Sequence, residues 1–179
     1  MPEVLKPIGE NDLKTQPVIR AQGPGQVYGR ILVATDFTAA STPALEQGLK
    51  LARQNHAELL IVHSSVTPAS LSFMNADSYE EWEKQCRTDA ETNISALIQE
   101  ARKEGVKAHM LELSGLADDA IVEAAERLEV DLIVLGTHGR RGVSRFFLGS
   151  VAAQVVARAR CPVLTVRSCH RERKLARPR

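Results

Sequence analysis

From residue 30 onward the chain alternates short apolar runs with longer amphipathic segments. Runs rich in Val, Ile and Leu are typical of strands buried in a parallel sheet. Apolar residues that recur every three or four positions between those runs are typical of helices packed on such a sheet. The pattern predicts strands at 31–34, 59–63, 106–113, 131–135 and 162–166, and helices at 43–52, 79–104, 117–128 and 149–158.

Strands that alternate with helices along a chain favour a parallel sheet with right-handed crossovers. We therefore predict an α/β fold, a three-layer, doubly wound open sheet of five parallel strands in the order 3-2-1-4-5, with helices on both faces. Ligands of such sheets lie beyond the carboxyl ends of the strands, where the strand order reverses. That reversal falls between the first and fourth strands, so Thr35-Asp36 and Gly136-Thr137 are expected to lie side by side.

The flanking segments and the composition describe the setting of this domain. Residues 1–29 have several prolines and no sustained periodicity, which predicts an N-terminal extension before the domain at 30–167, and 168–179 form a basic tail. Lys and Arg number 23 and Asp and Glu 22, so the overall charge favours neither nucleic acid nor membrane as a partner. Three cysteines provide no disulfide framework, and neither a membrane-spanning run nor a signal-peptide pattern is present. The expected location is the cytoplasm.

A glycine-punctuated loop follows the fourth strand and leads into the last helix. It contains Gly136, Gly139 and Gly149, and the helix opens with Ser150 and Val151. This order aims backbone N–H groups at a phosphate, because glycine permits close approach and a helix N-terminus adds unpaired donors. We interpret the loop as a phosphate site. One alternative is that this segment is only a surface loop, and the lysine of the ordinary P-loop is absent. Another is that Ser150 is a helix N-cap, which is compatible with a phosphate site because both use the same N-terminal donors.

Residues along most of the domain also resemble a known family. Ile31–Thr38, Leu60–His63 and Cys161–Val166 resemble strands of the universal stress proteins. The loop is similar to the family's nucleotide signature, which reads Gly, two residues, Gly, nine residues, Gly, then Ser or Thr. The resemblance implies a regulatory, ATP-binding stress protein that uses Mg²⁺ and is not an enzyme. It also implies a homodimer in which residues 162–166 of two copies pair.

The resemblance further implies roles for individual residues. Adenine and ribose would lie against the ends of the first and second strands, with Asp36 toward the ribose and the backbone of Ser64 toward the adenine. The nucleotide would rest on the end of the fourth strand, and its phosphates would be held by Gly139, Gly149, Ser150 and Val151. The complete implied site consists of Ala34, Thr35, Asp36, Ser64, Leu135, Gly136, Thr137, Gly139, Gly149, Ser150 and Val151.

Three questions stay open from the sequence. Asp36 ends a strand, where Asp is often a turn-forming residue rather than a ligand contact. The nucleotide is ATP by resemblance, with AMP and cyclic nucleotides as alternatives. The chain is alternatively a slow ATPase, a phosphoryl- or adenylyl-transfer enzyme, or a dimeric interaction protein without nucleotide. An enzyme would need a positioned acid, base or nucleophile near the phosphates, and no catalytic residue or protein-held metal is predicted.

Overall fold

The computed structural model of the protein describes residues 26–38, 40–65, 95, 98–99, 101–137 and 148–167. Within them the chain forms, in order, β1 (Arg30–Ala34), α1 (Thr42–Asn55), β2 (Glu58–Ser65), β3 (Ala108–Ser114), α2 (Ala117–Arg127), β4 (Leu132–Gly136), α3 (Ser150–Arg158) and β5 (Val163–Val166). Residues 95, 98–99 and 101–103 are helical as well. The helix predicted at 79–104 ends at residue 103, since Glu104 lies in the turn that follows. Its remaining residues, nearly all of the predicted extension and the predicted tail lie outside the described residues.

The described strands form one parallel sheet in the order β3-β2-β1-β4-β5. β1 lies at the centre, and its Val33 pairs with Ile61 of β2 on one side and with Val134 of β4 on the other. The predicted fold class, strand number and strand order are therefore confirmed. The reversal of strand order falls between β1 and β4, as expected.

Two apolar layers, one on each face of the sheet, hold the helices. Successive side chains of a strand point to opposite faces, so Leu32 belongs to one layer and Val33 to the other. Helices α2 and α3 cover the first layer through residues such as Ala124 and Val155, and α1 covers the second through Ala52. Helices therefore lie on both faces, which completes the predicted three-layer architecture.

Element boundaries follow local hydrogen bonding more closely than they follow the apolar pattern. β3 begins at Ala108 rather than at the predicted Val106. The reason is that Val106 N–H donates to the Ala101 carbonyl at 2.9 Å and still belongs to the turn that closes the preceding helix. Helix α1 has Ser41 as its N-cap and Pro43 in its first turn, which agrees with the sequence signals for a helix start.

A cluster of buried charged side chains ties together the amino ends of β1, β2 and β3. Glu58 is fully buried, and its Oε2 accepts a hydrogen bond from Arg30 Nε at 2.7 Å and lies 2.6 Å from Arg30 Nη2. Its Oε1 lies 3.1 Å from Lys107 Nζ and 3.3 Å from His109 Nε2. Arg30 Nη1 also donates to the Leu128 carbonyl at 2.5 Å, which connects the cluster to the end of α2.

This cluster strongly favours the ionised form of Glu58. Burial by itself would raise the pKa of this carboxyl group, but hydrogen bonds from its basic neighbours, led by His109, outweigh burial and lower the pKa from 4.5 to about 2. The cluster lies at the amino ends of the strands, on the side of the sheet opposite to their carboxyl ends. Its expected role is therefore stability rather than ligand binding.

Helix α1 approaches the sheet closely at Gly48. A Cβ at this position would overlap Cγ2 of Val33, and valine is stiff at χ1. We expect Gly48→Ala to lower the free energy of unfolding, because overpacking costs about 1–3 kcal/mol and alanine's helix preference returns at most about 1 kcal/mol. Urea unfolding measures the change. In a Val33→Ala background the same substitution should cost much less, and an equal cost in both backgrounds would exclude this contact as the cause.

Candidate functional site

The carboxyl ends of β1 and β4 bring together predicted site residues that are far apart in sequence. Ala34 pairs with Leu135, so Thr35 and Asp36, which follow β1, lie beside Gly136 at the end of β4. On the other side of β1, Ala34 pairs with Val62, which places the end of β2 at the same edge. The predicted residues found at this edge are Ala34, Thr35, Asp36, Ser64, Leu135, Gly136 and Thr137.

The chain leaves β1 through a tight polar turn. Phe37 N–H donates to Thr35 Oγ1 at 3.1 Å, and Thr35 Oγ1 lies 2.9 Å from Ser41 Oγ. Asp36 Oδ1 accepts hydrogen bonds from the N–H of Thr38 at 3.0 Å and from its hydroxyl at 2.7 Å. Asp36 is therefore a turn-forming residue, as the alternative interpretation held. The same bonds fix its partly buried carboxylate at the end of the strand.

The end of β2 contacts this turn through an aromatic pair. His63 Nδ1 lies 2.8 Å from the carbonyl oxygen of Thr35. The rings of Phe37 and His63 have centroids 4.2 Å apart and planes tilted by 37°. The sequence did not predict this pairing. It depends on the left-handed conformation of Phe37, with φ of 62°, which bulky residues rarely adopt. Ser64 Oγ donates to the Gly115 carbonyl at 2.7 Å, so its hydroxyl is engaged with the turn after β3.

Both ends of the glycine loop are held by backbone hydrogen bonds. Thr137 N–H donates to the Val166 carbonyl at 3.0 Å, and Gly149 N–H donates to the Thr137 carbonyl at 2.8 Å. These bonds place the start of α3 against the end of β4, so that Gly136, Thr137 and Gly149 are neighbours. Residues 138–147, including Gly139, lie outside the described residues, and the role of Gly139 stays a prediction.

Helix α3 begins with backbone N–H groups that have no partner in the part of the chain that the structure describes. Gly149 is its N-cap, and Ala153 N–H donates to the Gly149 carbonyl at 2.9 Å. The interpretation of Ser150 as the N-cap is therefore wrong, because the helical ladder starts one residue earlier. Among the described residues, the N–H groups of Ser150, Val151 and Ala152 find no hydrogen-bond partner, and no side chain caps the helix. Unpaired donors at the positive end of a helix dipole favour binding of an anion.

The chemistry of the described residues suits an anion better than a protein-held metal ion. In the described ranges, no group of three or more His, Cys, Asp or Glu side chains could hold a metal ion. Mg²⁺ that accompanies a nucleotide is bound largely by phosphates and water, so such an ion would not require a cluster of this kind. As for membranes, none of the helices in the described segments has the length and apolar character needed to cross one.

Comparison with known proteins identifies the family. The model of the universal stress protein family matches residues 28–167. Universal stress protein MJ0531 of Methanocaldococcus jannaschii is 31% identical over 146 residues, which cover 82% of this chain and 86% of the relative.

Two similar solved structures contain adenine nucleotides. A universal stress protein in complex with cAMP has a TM-score of 0.56 and 25% identity, and the match covers 79% of this chain and 98% of that one. The universal stress protein from Archaeoglobus fulgidus in complex with dAMP has a TM-score of 0.52 and 25% identity, covering 79% of this chain and 100% of that one. The family model and the relative in M. jannaschii both extend over most of the domain, and the chain therefore belongs to the universal stress protein family.

Proposed function

We propose that this stress protein binds an adenine nucleotide, ATP together with Mg²⁺, at the carboxyl edge of its sheet. The observation that carries the proposal is the start of α3, where the N–H groups of Ser150, Val151 and Ala152 are open among the described residues. They lie next to the end of β4, where ligands of doubly wound sheets bind. The cAMP and dAMP bound by two similar proteins support an adenine nucleotide as the ligand class.

Each part of the nucleotide has a proposed set of contacts. The phosphates would accept hydrogen bonds from the amides at the start of α3, with the dipole of that helix adding to the attraction. The ribose would meet Asp36, whose carboxylate is oriented by Thr38. The adenine would meet the backbone of Ser64, since the hydroxyl of Ser64 is already bonded to Gly115. Mg²⁺ would neutralise phosphate charge at the same place.

The proposed role of the nucleotide is regulatory. A ligand shifts a conformational equilibrium when it binds one state better than another, and a nucleotide held between Thr137 and α3 would favour the loop conformation that suits it. Partners that contact this loop would then distinguish the loaded protein from the empty one. The competing hypothesis of a slow ATPase predicts steady release of ADP, abolished by a single polar substitution that leaves binding intact. The cytoplasmic location stays a prediction from the sequence.

Identification of the natural ligand tests the proposal directly. The purified protein is denatured, and the released small molecules are identified by mass spectrometry. Calorimetric titration of the emptied protein with ATP, AMP and cAMP, with and without Mg²⁺, then ranks the ligands. We expect ATP with Mg²⁺ to bind most tightly. If no nucleotide is released and none of the three produces heat, the proposal is refuted.

We also propose that the protein forms a homodimer through β5, the last strand on one side of the sheet. Ile133 N–H donates to the Pro162 carbonyl and Thr137 N–H to the Val166 carbonyl, at 3.0 Å each. Because alternate residues of a parallel strand bond to opposite sides, the N–H and C=O groups of Val163 and Thr165 face the open edge. A second copy could pair there and cover the edge.

The substitution Thr165→Pro tests this dimer. Proline removes one outward N–H but none of the bonds to β4, and edge strands tolerate proline when that N–H faces away from the sheet. We expect Thr165→Pro to convert the protein from dimer to monomer in multi-angle light scattering. Thr165→Val keeps the N–H and should remain dimeric. A wild-type monomer, or a proline variant that stays dimeric, would contradict pairing through β5.

A further inference from the structure

The hydrogen-bond ladder between β1 and β2 stops just beyond the end of β1. The last paired residues are Ala34 and Val62, and Thr35 N–H still donates to the Val62 carbonyl at 2.9 Å. In a parallel ladder the next bond would join the N–H of Ser64 to the carbonyl of Thr35. Among the described residues that bond is not formed. The Thr35 carbonyl lies instead 2.8 Å from His63 Nδ1.

The ring of His63 therefore replaces a backbone donor. A carbonyl only accepts hydrogen bonds, so Nδ1 carries the proton and donates. The ring is held in place by Phe37, at a centroid distance of 4.2 Å. Phe37 in turn sits in its left-handed conformation with its N–H bonded to Thr35 Oγ1 at 3.1 Å. A strained residue that persists at the end of a central strand is typical of a functional site.

The consequence concerns the backbone of Ser64. Alternate residues of a central strand direct their N–H groups to opposite neighbours, and Val62 bonds to β1, so the N–H of Ser64 also points toward the β1 side. Its expected acceptor, the Thr35 carbonyl, is bonded to the ring of His63 and not to Ser64, and the hydroxyl of Ser64 is bonded to Gly115. Within the described segments this N–H has no partner. Ser64 is partly buried, and a backbone donor in such a place is satisfied by water or by a ligand, so this N–H is available to a ligand acceptor.

We propose that His63 is a positioning residue for the base. By binding the carbonyl of Thr35, its ring holds that carbonyl in an orientation that does not meet the N–H of Ser64. The open N–H donates to an acceptor nitrogen of the bound adenine. Phe37 fixes the ring in the required orientation. The inference rests on the proposed nucleotide-binding function, but its first step, the opening of the Ser64 N–H by His63, is a property of the protein without ligand.

Hydrogen exchange of the unliganded protein tests that first step. In the wild type we expect the Ser64 amide to exchange at least about tenfold faster than the ladder-bonded Val62 amide, because open amides lack protection. His63→Leu removes the donor and lets the Thr35 carbonyl pair with Ser64, so exchange at Ser64 should slow by about tenfold. His63→Asn keeps an N–H donor and should leave Ser64 open. If Ser64 exchanges equally fast in the wild type and in His63→Leu, the inference is overturned.

Calorimetry with two ligands tests the second step. His63→Leu should weaken ATP binding by about 3–10-fold, the effect of one neutral hydrogen bond, and should leave binding of inorganic tripolyphosphate unchanged because that ligand has no base. His63→Asn should bind ATP nearly as well as the wild type. The control is His56→Asn. His56 is the left-handed C-cap of α1, on the side of the sheet where the strands begin, so this substitution should change the affinity for neither ATP nor tripolyphosphate.

The outcomes separate this inference from the proposed function. Unchanged ATP affinity in His63→Leu, or an equal loss for ATP and tripolyphosphate, would overturn the role of His63 in positioning the base. An equal loss for both ligands would show that His63 has a purely structural role. A wild-type protein that binds neither ligand would refute nucleotide binding and with it the base contact, while the exchange rates of Ser64 would still decide whether His63 opens this amide.

Discussion

Replacing Glu58 by Gln should destabilise the protein more than the overpacking substitution Gly48→Ala does. The Glu58 substitution leaves the guanidinium of Arg30, which is 2% exposed, without a charged partner in the interior. Removal of one member of a buried ion pair typically costs about 3–5 kcal/mol, because the remaining charge stays desolvated. We expect a loss in that range in guanidinium unfolding at neutral pH.

The control for this prediction is an ion pair on the surface. Arg53 Nε lies 2.8 Å from Glu104 Oε2, and the two side chains are 54% and 34% exposed. Exposed pairs contribute about 0–1 kcal/mol, so Glu104→Gln should change stability little. Equal and small effects of the two substitutions would show that the buried cluster does not stabilise the fold.

The same cluster predicts a specific dependence on pH. The pKa of Glu58 falls from 4.5 to about 2 in the folded protein, burial being outweighed by hydrogen bonds from its neighbours. Between these values the unfolded chain binds a proton that the folded protein does not, so stability decreases as the pH falls. The difference in stability between wild type and Glu58→Gln should be constant above about pH 5 and shrink progressively toward pH 2. A difference that stayed constant to pH 2 would contradict the lowered pKa.

The largest expected effect on function comes from Gly149→Val. Gly149 has φ of −58° and ψ of 153°, a conformation open to any residue, so the glycine is not needed for the turn itself. We expect glycine to be needed here because it has no Cβ where phosphate oxygens approach the start of α3. Loss of one charge-assisted hydrogen bond costs roughly 1.5–3 kcal/mol, which corresponds to about a 10–100-fold loss of ATP affinity in calorimetry.

Two further variants show whether the loss arises at the phosphates. Gly149→Ser provides a side-chain oxygen that can cap the amides of α3, so it should stabilise the helix and still weaken ATP binding by competing with phosphate. Asp36→Ala should weaken ATP binding less than Gly149→Val and leave tripolyphosphate binding intact, because its expected contact is with the ribose. Wild-type affinity in Gly149→Val would place the phosphates somewhere else.

Much of the fold was predictable because its signals are local. The runs at Ile31–Ala34 and Leu132–Leu135 are apolar throughout, since both faces of a central parallel strand are buried. The alternation of such runs with amphipathic segments leaves few topologies, and the expected reversal of strand order between the first and fourth strands selected one of them. The edge strand β3 was predicted two residues too long at its start, because Val106 is apolar yet bonded into the preceding turn.

The candidate site was predictable in its location and less so in its details. Ligand binding at the strand-order reversal follows from topology, which is why Asp36 and Gly136 could be placed side by side from sequence. Ser150 was an alternative N-cap of α3 because serine is a favoured capping residue, whereas the structure has Gly149 at that position. A one-residue shift of this kind depends on the bond between Gly149 and Thr137, which residue types do not encode.

By itself, the sequence determined the strands, the described helices, the family and the neighbourhood of the candidate site, because these depend on periodicity, glycine spacing and short motifs. Only the tertiary structure decided that Arg30 and Glu58 form a buried pair at the amino ends of the strands and that His63 contacts the Thr35 carbonyl at the carboxyl ends. Both features join residues 28 positions apart. Their geometry is set by the register of β1 against β2, which emerges only when the two strands pair.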